Sequence, residues 1–409
     1  MNVVSAGQMS HLKVLMVDPS LFTYPYDSSL VRALNALCEV KLIGRTPREY
    51  EWNGILEPFP VTSLFYKSSE KFRTRRMSAH LVVLIKVIEH CFDFSSFVRY
   101  ARLKKPDAIH FQWLPIPSFD RFFVRQLKRV CPVFLTLHDL TPFNGNPTSR
   151  FQALGFNAAL KEFSGLFVHT NNAVETLRNF GLNTTQICHV GIPPDIETIT
   201  PFAGTESHSS EISTSPPKKV NVLILGLLKE YKGIDIAIKA MGLLPPSVKN
   251  RVHLTIAGEP KMPMGPLFDL QKRLPKPDQV EWRLKFLSPR EMMVLMDSAD
   301  IFLFAYRKIE GSGVFSQSLR FEKPIIATNI GIFAETIQRT GCGLPVEPIP
   351  EDIASKLTLM ITDKDIYNQC KEGAKIANGM LPSWVNVANE TLKFYRQTIL
   401  GMRTGHQKQ

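Results

Sequence analysis

Short apolar runs alternate with amphipathic segments over most of the chain. Runs such as HLKVLMVDP (residues 11–19) and PVFLTLHD (132–139) have the length of buried strands. The segments between such runs repeat apolar residues at three- and four-residue steps, as in SFDRFFVRQLKRV (118–130), and this period predicts helices. Strands that alternate with helices in this way are typical of a parallel sheet with helices on both faces.

The alternation breaks once and then restarts. Residues 191–218 are rich in Pro, Ser and Thr with little periodicity, which predicts a linker. The strand KVNVLILG opens a second series at Lys219, and a closing helix is predicted over 383–402. We therefore expect an α/β chain of two Rossmann-like domains, 1–190 and 219–382, each a doubly wound parallel sheet, that face a cleft. Ligands of such sheets bind at the carboxyl ends of the strands.

The positive charge of the chain is concentrated in its first half. The 409 residues carry a formal net charge of +12. Residues 60–130 hold fourteen Lys and Arg against five Asp and Glu, a balance of +9. A focused positive charge attracts nucleic acid, anionic lipid or phosphorylated substrates, and it says little about fold.

The basic stretch contains a segment with an apolar stripe. In SAHLVVLIKVIEHCFDFSSFVRYARLKK (78–105) apolar residues recur at helical steps, which predicts an amphipathic helix. A stripe beside a basic flank suits the headgroup region of an anionic membrane; the alternative is a core-facing helix with solvated charges. The stripe consists of Leu81, Leu84, Ile85, Ile88 and Phe92, and the basic flank of Arg73, Arg75 and Arg76.

Other classes of protein are disfavoured by what the sequence lacks. No helix-turn-helix, RNA-binding or zinc-finger signature appears, so nucleic acid is the least favoured anionic partner. The longest apolar stretch, Leu81–Ile88, is far shorter than the roughly 20 residues of a membrane span. The start of the chain has no signal-peptide pattern, and the six cysteines are widely separated. We expect a cytoplasmic protein with reduced thiols.

The strongest candidate for anion binding lies in LGLLKEYKGIDIAIKA (225–240). A predicted strand ends at Gly226, a loop with Lys229 and Lys232 follows, and Gly233 opens a helix. Lysine side chains and unbonded amides at the start of a helix suit a phosphate group. The alternative is a pair of solvent-exposed lysines on an ordinary turn.

A second candidate follows the predicted strand DIFLFAY. The loop after it contains Glu310, which is placed to contact a sugar hydroxyl, and the glycines Gly311 and Gly313, which allow a ligand close to the backbone. The helix that begins after them offers amides to an anion. The alternative is a Gly-rich turn before a capped helix.

Two further candidates end strands of the first domain. His138 and Asp139 follow the strand PVFLTL directly, and Gln112 and Trp113 follow PDAIHF. An aromatic ring beside an amide suits sugar stacking and hydroxyl binding, and a histidine at a strand end suits contact with substrate. The alternatives are a structural histidine and a packed rim. No G-x-G-x-x-G follows the first strand, which argues against a dinucleotide oxidoreductase.

Together these segments resemble the retaining family-4 glycosyltransferases of GT-B fold, of the bacterial exopolysaccharide type. G-x-x-x-x-Y-K-G-x-D (226–235) is similar to the donor-phosphate loop of that family. SGVFSQSLRFEKPIIATNIG (312–331) and the closing helix with Trp384 and Tyr395 are also similar. The resemblance covers nearly the whole chain, is strongest from about 219 to 340, and implies that the closing helix returns to the first domain.

The resemblance also implies roles for individual residues. The family has two glutamates separated by seven residues, and Glu310 matches the first. The second, ribose-binding position falls on Gln317 when counted back from Pro324 and on Ser318 when counted forward from Glu310. Leu227 stands where the family has an arginine. The implied donor-binding residues are Gly226, Lys229, Lys232, Gly311, Ser312, Gly313, Val314 and Gln317; the implied catalytic residues are His138 and Glu310.

These roles describe an enzyme that transfers a sugar from a nucleotide-diphosphate sugar, with retention, to a lipid-linked or oligosaccharide acceptor at the inner face of a membrane. Gln112 and Trp113 would belong to the acceptor side. No cofactor is expected, and no metal is required. A non-catalytic GT-B scaffold subunit is the main alternative, and a GT-B epimerase or phosphorylase is a further one.

Overall fold

The structure is a computed structural model that describes residues 12–48, 59–73, 79–140, 154–182, 186–194, 219–309 and 311–405. The chain divides into two compact units. The first consists of residues 1–191 together with 382–409, and the second of residues 192–381.

The first unit is built on a seven-stranded sheet in which all strand pairs are parallel, in the order β3-β2-β1-β4-β5-β6-β7. Its central strands are buried along nearly their whole length, because helices cover both faces. Its strands are β1 (Lys13–Asp18), β2 (Glu39–Gly44), β3 (Val61–Ser63), β4 (Ala108–Phe111), β5 (Val133–Leu137), β6 (Gly165–Val168) and β7 (Gln186–His189). Its described helices are α1 (Tyr24–Asn35), α2 (Lys67–Arg73), α3 (Ala79–Lys104), α4 (Pro117–Leu127), α5 (Phe156–Leu160), α6 (Asn171–Asn179) and the closing helix α15 (Trp384–Gly405).

The second unit has a six-stranded parallel sheet in the order β10-β9-β8-β11-β12-β13. Its strands are β8 (Val220–Leu225), β9 (Val252–Ala257), β10 (Val280–Arg283), β11 (Ile301–Phe304), β12 (Ile325–Thr328) and β13 (Gly343–Val346). Its described helices are α7 (Ile234–Leu243), α8 (Pro246–Lys249), α9 (Gly265–Lys272), α10 (Pro289–Ser298), α11 (Gly313–Leu319), α12 (Gly331–Thr340), α13 (Pro350–Thr362) and α14 (Lys364–Gly379), with 3-10 turns at Glu230–Lys232 and Pro277–Gln279.

The predicted fold class is confirmed, since both sheets are parallel and doubly wound. Helix α10 begins at Pro289, because Ser288 and Glu291 form a reciprocal capping box at its start. Two strands were missed, β3 and β10. Both lie at a sheet edge, and neither has the continuous burial that makes an apolar run visible in the sequence.

The closing helix α15 packs on α1 within the first unit. Tyr395 is fully buried there, and its hydroxyl lies 2.5 Å from Nδ1 of His110 on β4. Phe394 makes edge contacts with Phe134 and Phe167 on β5 and β6. A helix from the end of the sequence therefore completes the core of the first unit. None of the helices in the described ranges is both long enough and apolar enough to cross a membrane.

Candidate functional site

In the second unit, the loop after β8 and the start of α11 meet beside Gly226. This glycine has a φ of +106°, which side-chain-bearing residues rarely adopt. A Cβ atom at this position would lie 2.8 Å from Nζ of Lys232 and 3.1 Å from Cγ2 of Val314. The absence of a side chain at Gly226 therefore lets Lys232 and Val314, predicted donor-site residues from two distant segments, lie side by side.

Lys232 is the most unusual titratable group of this region, since its side chain is only 3% exposed. Its Nζ donates a hydrogen bond to the carbonyl of Leu225 over 2.8 Å and lies 5.2 Å from the ring centroid of Tyr306. Burial, and secondarily the charge of Lys229, lower the pKa of Lys232 to about 7. A buried amine of this kind gains its proton readily when an anion is placed against it.

The loop that holds Lys232 is braced against the end of β11. Arg307 forms a two-pronged ion pair with Asp235, at 2.9 and 2.8 Å, and donates to the carbonyl of Glu230 over 2.7 Å. Gly233 has a φ of +65° and packs so closely that a Cβ atom would lie 1.9 Å from the carbonyl oxygen of Ala305. These contacts hold the backbone around Lys232 in one position.

The second predicted donor segment begins α11. Ser312 is the N-cap of this helix, and its Oγ accepts a hydrogen bond from the amide of Phe315 at 3.2 Å. Gly311 and Gly313 flank the cap and are partly exposed. Ser318 is fully buried and its hydroxyl donates to the carbonyl of Phe315, and Gln317 is also buried, with 8% of its surface exposed. Glu310 lies outside the described residues.

A pocket of about 190 Å³ lies at the carboxyl end of β10, where the sequence predicted no site. It is lined by basic side chains at its rim and by apolar side chains from α10. Because the sequence did not predict β10, it could not predict a pocket at the end of that strand. The lining residues are Arg283, Lys285, Leu287, Arg290, Glu291, Val294 and Leu295.

In the first unit, His138 directly follows β5, as predicted, and both of its ring nitrogens have neighbours. Nε2 lies 3.3 Å from Oε1 of Gln112, and Nδ1 lies 3.3 Å from Nε2 of His169. The sequence analysis did not select His169 as a site residue. Its Nδ1 lies 3.0 Å from the carbonyl oxygen of Val190. Burial, then the neighbouring His169 and His110, hold the pKa of His138 well below its usual value, so the imidazole is neutral at pH 7.

The structure places the predicted acceptor residues deeper than expected. Gln112 is fully buried and contacts His138, and Trp113 is only 8% exposed. The ring of Phe22, from the loop after β1, stacks on Trp113 with centroids 4.8 Å apart and is itself 55% exposed. The aromatic surface that reaches solvent at this edge of the sheet therefore belongs to Phe22. Nothing in the spacing of the sequence connects Phe22 with Trp113.

Helix α3 exposes three residues of the predicted apolar stripe, while Ile85 is half-buried and the side chain of Leu81 lies outside what the structure describes. Leu84 and Ile88 are more than half exposed and Phe92 is 70% exposed, so the core-facing alternative is wrong for these residues. A different face of α3, with Phe94 and Phe97, packs into the core. The side chain of Arg73, at the end of α2, and residues Arg75 and Arg76 lie outside what the structure describes.

Within the described ranges, no group of three or more His, Cys, Asp or Glu side chains is arranged to hold a metal ion. The one Asp-x-Asp of the chain, Asp363 and Asp365, forms a helix cap in which Asp363 Oδ1 accepts from the amides of Asp365 and Ile366, each at 3.0 Å. That pair lies far along the sequence from both donor-site segments.

The second unit resembles a known protein family. Residues 206–377 match the family model described as glycosyl transferases group 1, and this match covers less than half of the chain. Both Lys232 and the α11 segment lie inside the matched range, which includes every donor-site residue predicted from the sequence. No curated protein sequence matches the chain.

Solved structures resemble nearly the whole chain. Sucrose-phosphate synthase from Thermosynechococcus elongatus aligns with a TM-score of 0.70 at 16% identity, over 96% of this chain and 100% of that one. HepE from Anabaena in complex with UDP-glucose has a TM-score of 0.66 at 14% identity, over 97% and 100%. WaaG, a glycosyltransferase involved in lipopolysaccharide biosynthesis, has a TM-score of 0.62 at 14% identity, over 93% and 99%. At these identities the similarity shows the fold, which is GT-B.

Proposed function

We propose that the protein is a retaining glycosyltransferase that takes a sugar from a nucleotide-diphosphate sugar. The observation that carries the proposal is the buried amine of Lys232, held beside Gly226 and Val314 inside the range that matches the group 1 family model. Such a position is costly for a lysine unless an anion uses it. Support also comes from HepE, a structural neighbour crystallised with UDP-glucose.

In the proposed reaction, Lys232, with Lys229 beside it, stabilises the negative charge of the nucleotide diphosphate as it leaves. The sugar passes through an oxocarbenium-like state, and the acceptor hydroxyl attacks from the face that the diphosphate leaves. Gln317 takes the place of the second glutamate and hydrogen-bonds the ribose. His138 and Glu310 contact the transferred sugar. No cofactor or metal takes part in this scheme.

We place the acceptor, a lipid-linked or oligosaccharide chain, on the first unit. Phe22 stacks on Trp113 at the carboxyl edge of the sheet. The ring centroid of Trp113 lies 6.4 Å from that of His138. Exposed aromatic rings suit the apolar face of a sugar. The product would be part of a bacterial polysaccharide.

The test is a panel of UDP-, GDP- and ADP-sugars with the purified protein. We expect one nucleotide class to raise the melting temperature in a concentration-dependent way, because a ligand that binds the folded state stabilises it by mass action. With membranes as acceptor, radiolabel from that donor should move into the organic-extractable lipid fraction. Stabilisation without transfer or hydrolysis would favour the scaffold alternative, and no stabilisation by any nucleotide sugar would contradict the proposal.

The scaffold alternative has its own support in the site. Leu227, at the position where the family has arginine, is an exposed apolar side chain, and Gln317 is not ionisable. Both differences weaken the charge available for a diphosphate and a ribose. A non-catalytic protein would keep the fold and lose turnover, which the transfer assay measures directly.

We further propose that the protein works at the cytoplasmic face of an anionic membrane, bound through α3. The exposed stripe of Leu84, Ile88 and Phe92 lies in the stretch 60–130, whose balance is +9. Apolar side chains that enter the headgroup region favour membrane binding, and basic residues that pair with anionic lipid favour it too. An anionic lipid surface is therefore the partner that fits both features.

Vesicle flotation tests this binding. The wild-type protein should float with vesicles that contain anionic lipid, less so at high salt, and the triple change Leu84→Ser, Ile88→Ser, Phe92→Ser should reduce the bound fraction at least tenfold. The loss follows from about 1 kcal/mol or more for each apolar side chain no longer inserted. Replacing Arg73, Arg75 and Arg76 together by Ser should remove the salt sensitivity.

The matched control uses three equally exposed apolar residues of the second unit, Leu243, Val294 and Ile376, each changed to Ser. This variant should float like the wild type. Equal losses in both triple variants, or no binding by the wild type, would exclude α3 as a membrane contact.

A further inference from the structure

The contacts around His138 determine where its proton lies, starting from Val190. The carbonyl of Val190 can only accept a hydrogen bond, and Nδ1 of His169 lies 3.0 Å from it. Nδ1 of His169 therefore carries a proton. Because burial lowers the pKa of His169 to about 4, the ring is neutral at pH 7 and its Nε2 has no proton.

The proton position on His169 determines the proton position on His138. Nε2 of His169, now a hydrogen-bond acceptor, faces Nδ1 of His138 at 3.3 Å. Nδ1 of His138 must then be the donor. Since His138 is also neutral, its Nε2 is left with a lone pair.

Gln112 completes the chain. Its side-chain oxygen occupies the position 3.3 Å from Nε2 of His138, and its nitrogen lies 3.5 Å from Nε2 of His110. An oxygen facing a lone pair is unfavourable, and the two ends of an amide are interchanged without any change of shape. With the amide turned, its NH₂ group donates to Nε2 of His138, and its oxygen takes the position 2.8 Å from Sδ of Met16 that the nitrogen held. His110 then accepts at Nδ1 from the hydroxyl of Tyr395 and donates through Nε2 to Oγ1 of Thr136, 2.8 Å away.

We propose that His169 is a positioning residue that holds His138 in the Nδ1–H tautomer, so that Nε2 of His138 accepts a hydrogen bond from a hydroxyl of the sugar substrate. The contact of Gln112 with Nε2 is long for a hydrogen bond, and the partly exposed His138 lets a hydroxyl share or replace it. The proposal rests on the proposed transferase function for its substrate, but the tautomer is a property of the ligand-free protein.

Long-range ¹H–¹⁵N NMR of protein labelled with ¹⁵N-histidine tests the tautomer without any ligand. The chain has ten histidines, and the His138→Gln variant identifies the signals that belong to His138. In the wild type at pH 7 we expect Nδ1 of His138 to be protonated and Nε2 to be unprotonated. A protonated Nε2 on His138 would overturn the proposal.

Two variants at position 169 separate positioning from packing. His169→Phe keeps a planar ring but removes the acceptor, so His138 should shift to the Nε2–H tautomer. His169→Gln restores a side-chain acceptor and should restore the Nδ1–H tautomer. The control His253→Gln changes an exposed partner of Glu281 in the second unit and should alter neither nitrogen of His138. An unchanged tautomer in His169→Phe, with folding verified by its melting curve, would refute the assignment.

Kinetics then connect the tautomer to the reaction. In His169→Phe, kcat should fall about tenfold, equivalent to about 1.4 kcal/mol of lost transition-state stabilisation, and His169→Gln should recover it. UDP affinity should not change, because the residues proposed to bind the diphosphate lie in the other unit. The expected tautomers together with an inactive wild type would refute the transferase proposal alone, whereas a switched tautomer with unchanged kcat would refute the role of His169 in positioning.

Discussion

Lys232→Ala should weaken binding of the responding nucleotide sugar by about ten- to a hundredfold. A hydrogen bond to a charged group contributes about 1.5–3 kcal/mol, and the buried position of Lys232 leaves little water to replace its amine. Isothermal titration calorimetry with UDP-glucose, or whichever donor stabilises the protein, measures the change. The melting temperature should not fall, because the variant no longer buries an amine.

The comparison variants are Lys229→Ala and Lys239→Ala. Lys229 is near enough to lower the pKa of Lys232 and should show a smaller loss of affinity, whereas Lys239 is exposed on α7 and should show none. Undiminished donor affinity in Lys232→Ala would exclude this lysine from the diphosphate site and remove the main support for the proposed function.

The pH dependence of binding gives a second measure of the same residue. In the unbound protein Lys232 has a pKa of about 7, lowered by burial, so above pH 7 it is mostly neutral. A bound diphosphate favours the protonated amine, and binding therefore takes up a proton. Affinity should decline as the pH rises from 7 to 9, by up to about tenfold per pH unit, and Lys232→Ala should remove this decline.

Gly233→Ala should have the largest effect on stability. The added Cβ would lie 1.9 Å from the carbonyl oxygen of Ala305, and the φ of +65° is itself unfavourable for alanine. We expect a loss of about 2–4 kcal/mol in the free energy of unfolding, with a fall of about 5 °C or more in melting temperature. Donor binding should weaken too, because the neighbouring Lys232 shifts with the loop.

Gly379→Ala is the matched control. Gly379 ends α14, and a Cβ there meets nothing within 4 Å. The control should melt at the wild-type temperature or slightly above it, since alanine favours a helix more than glycine does. If Gly233→Ala and Gly379→Ala have the same melting temperature, the close packing of Gly233 on Ala305 does not contribute to stability.

The sequence predicted the central strands well because these strands are buried on both faces. β1, β4 and β5 have almost no polar residue exposed, so each appears as a short apolar run between polar ends. Edge strands lack this signal. β10, with the sequence VEWR, has one neighbour and partly exposed side chains, and it was missed together with the pocket at its end.

Helix α3 shows a different limit. Its sequence is apolar on more than one face, so helical period alone leaves open which face meets the core. The packing of Phe94 and Phe97 against Phe65 and Phe111 decides this, and it leaves Phe92 in solvent. The apolar stripe was visible in the sequence, but its exposure was not.

The same division applies to the site. Lys232 and His138 could be named in advance because each stands next to a predicted strand end or glycine turn, and local order along the chain is enough to place them. His169 and Phe22 could not, since their neighbours His138 and Trp113 are 31 and 91 residues away and meet them only when strands align.

The sequence by itself determined two parallel α/β domains and the loops that contain the candidate site residues. A strand buried on both faces is a run of consecutive apolar residues, and a turn depends on the few residues that form it. The tertiary structure alone decided the burial of Lys232 beside Val314, the exposure of Phe22 and the proton positions around His138. These depend on contacts between segments far apart in the chain, and no local pattern records which distant side chain will fill a given space.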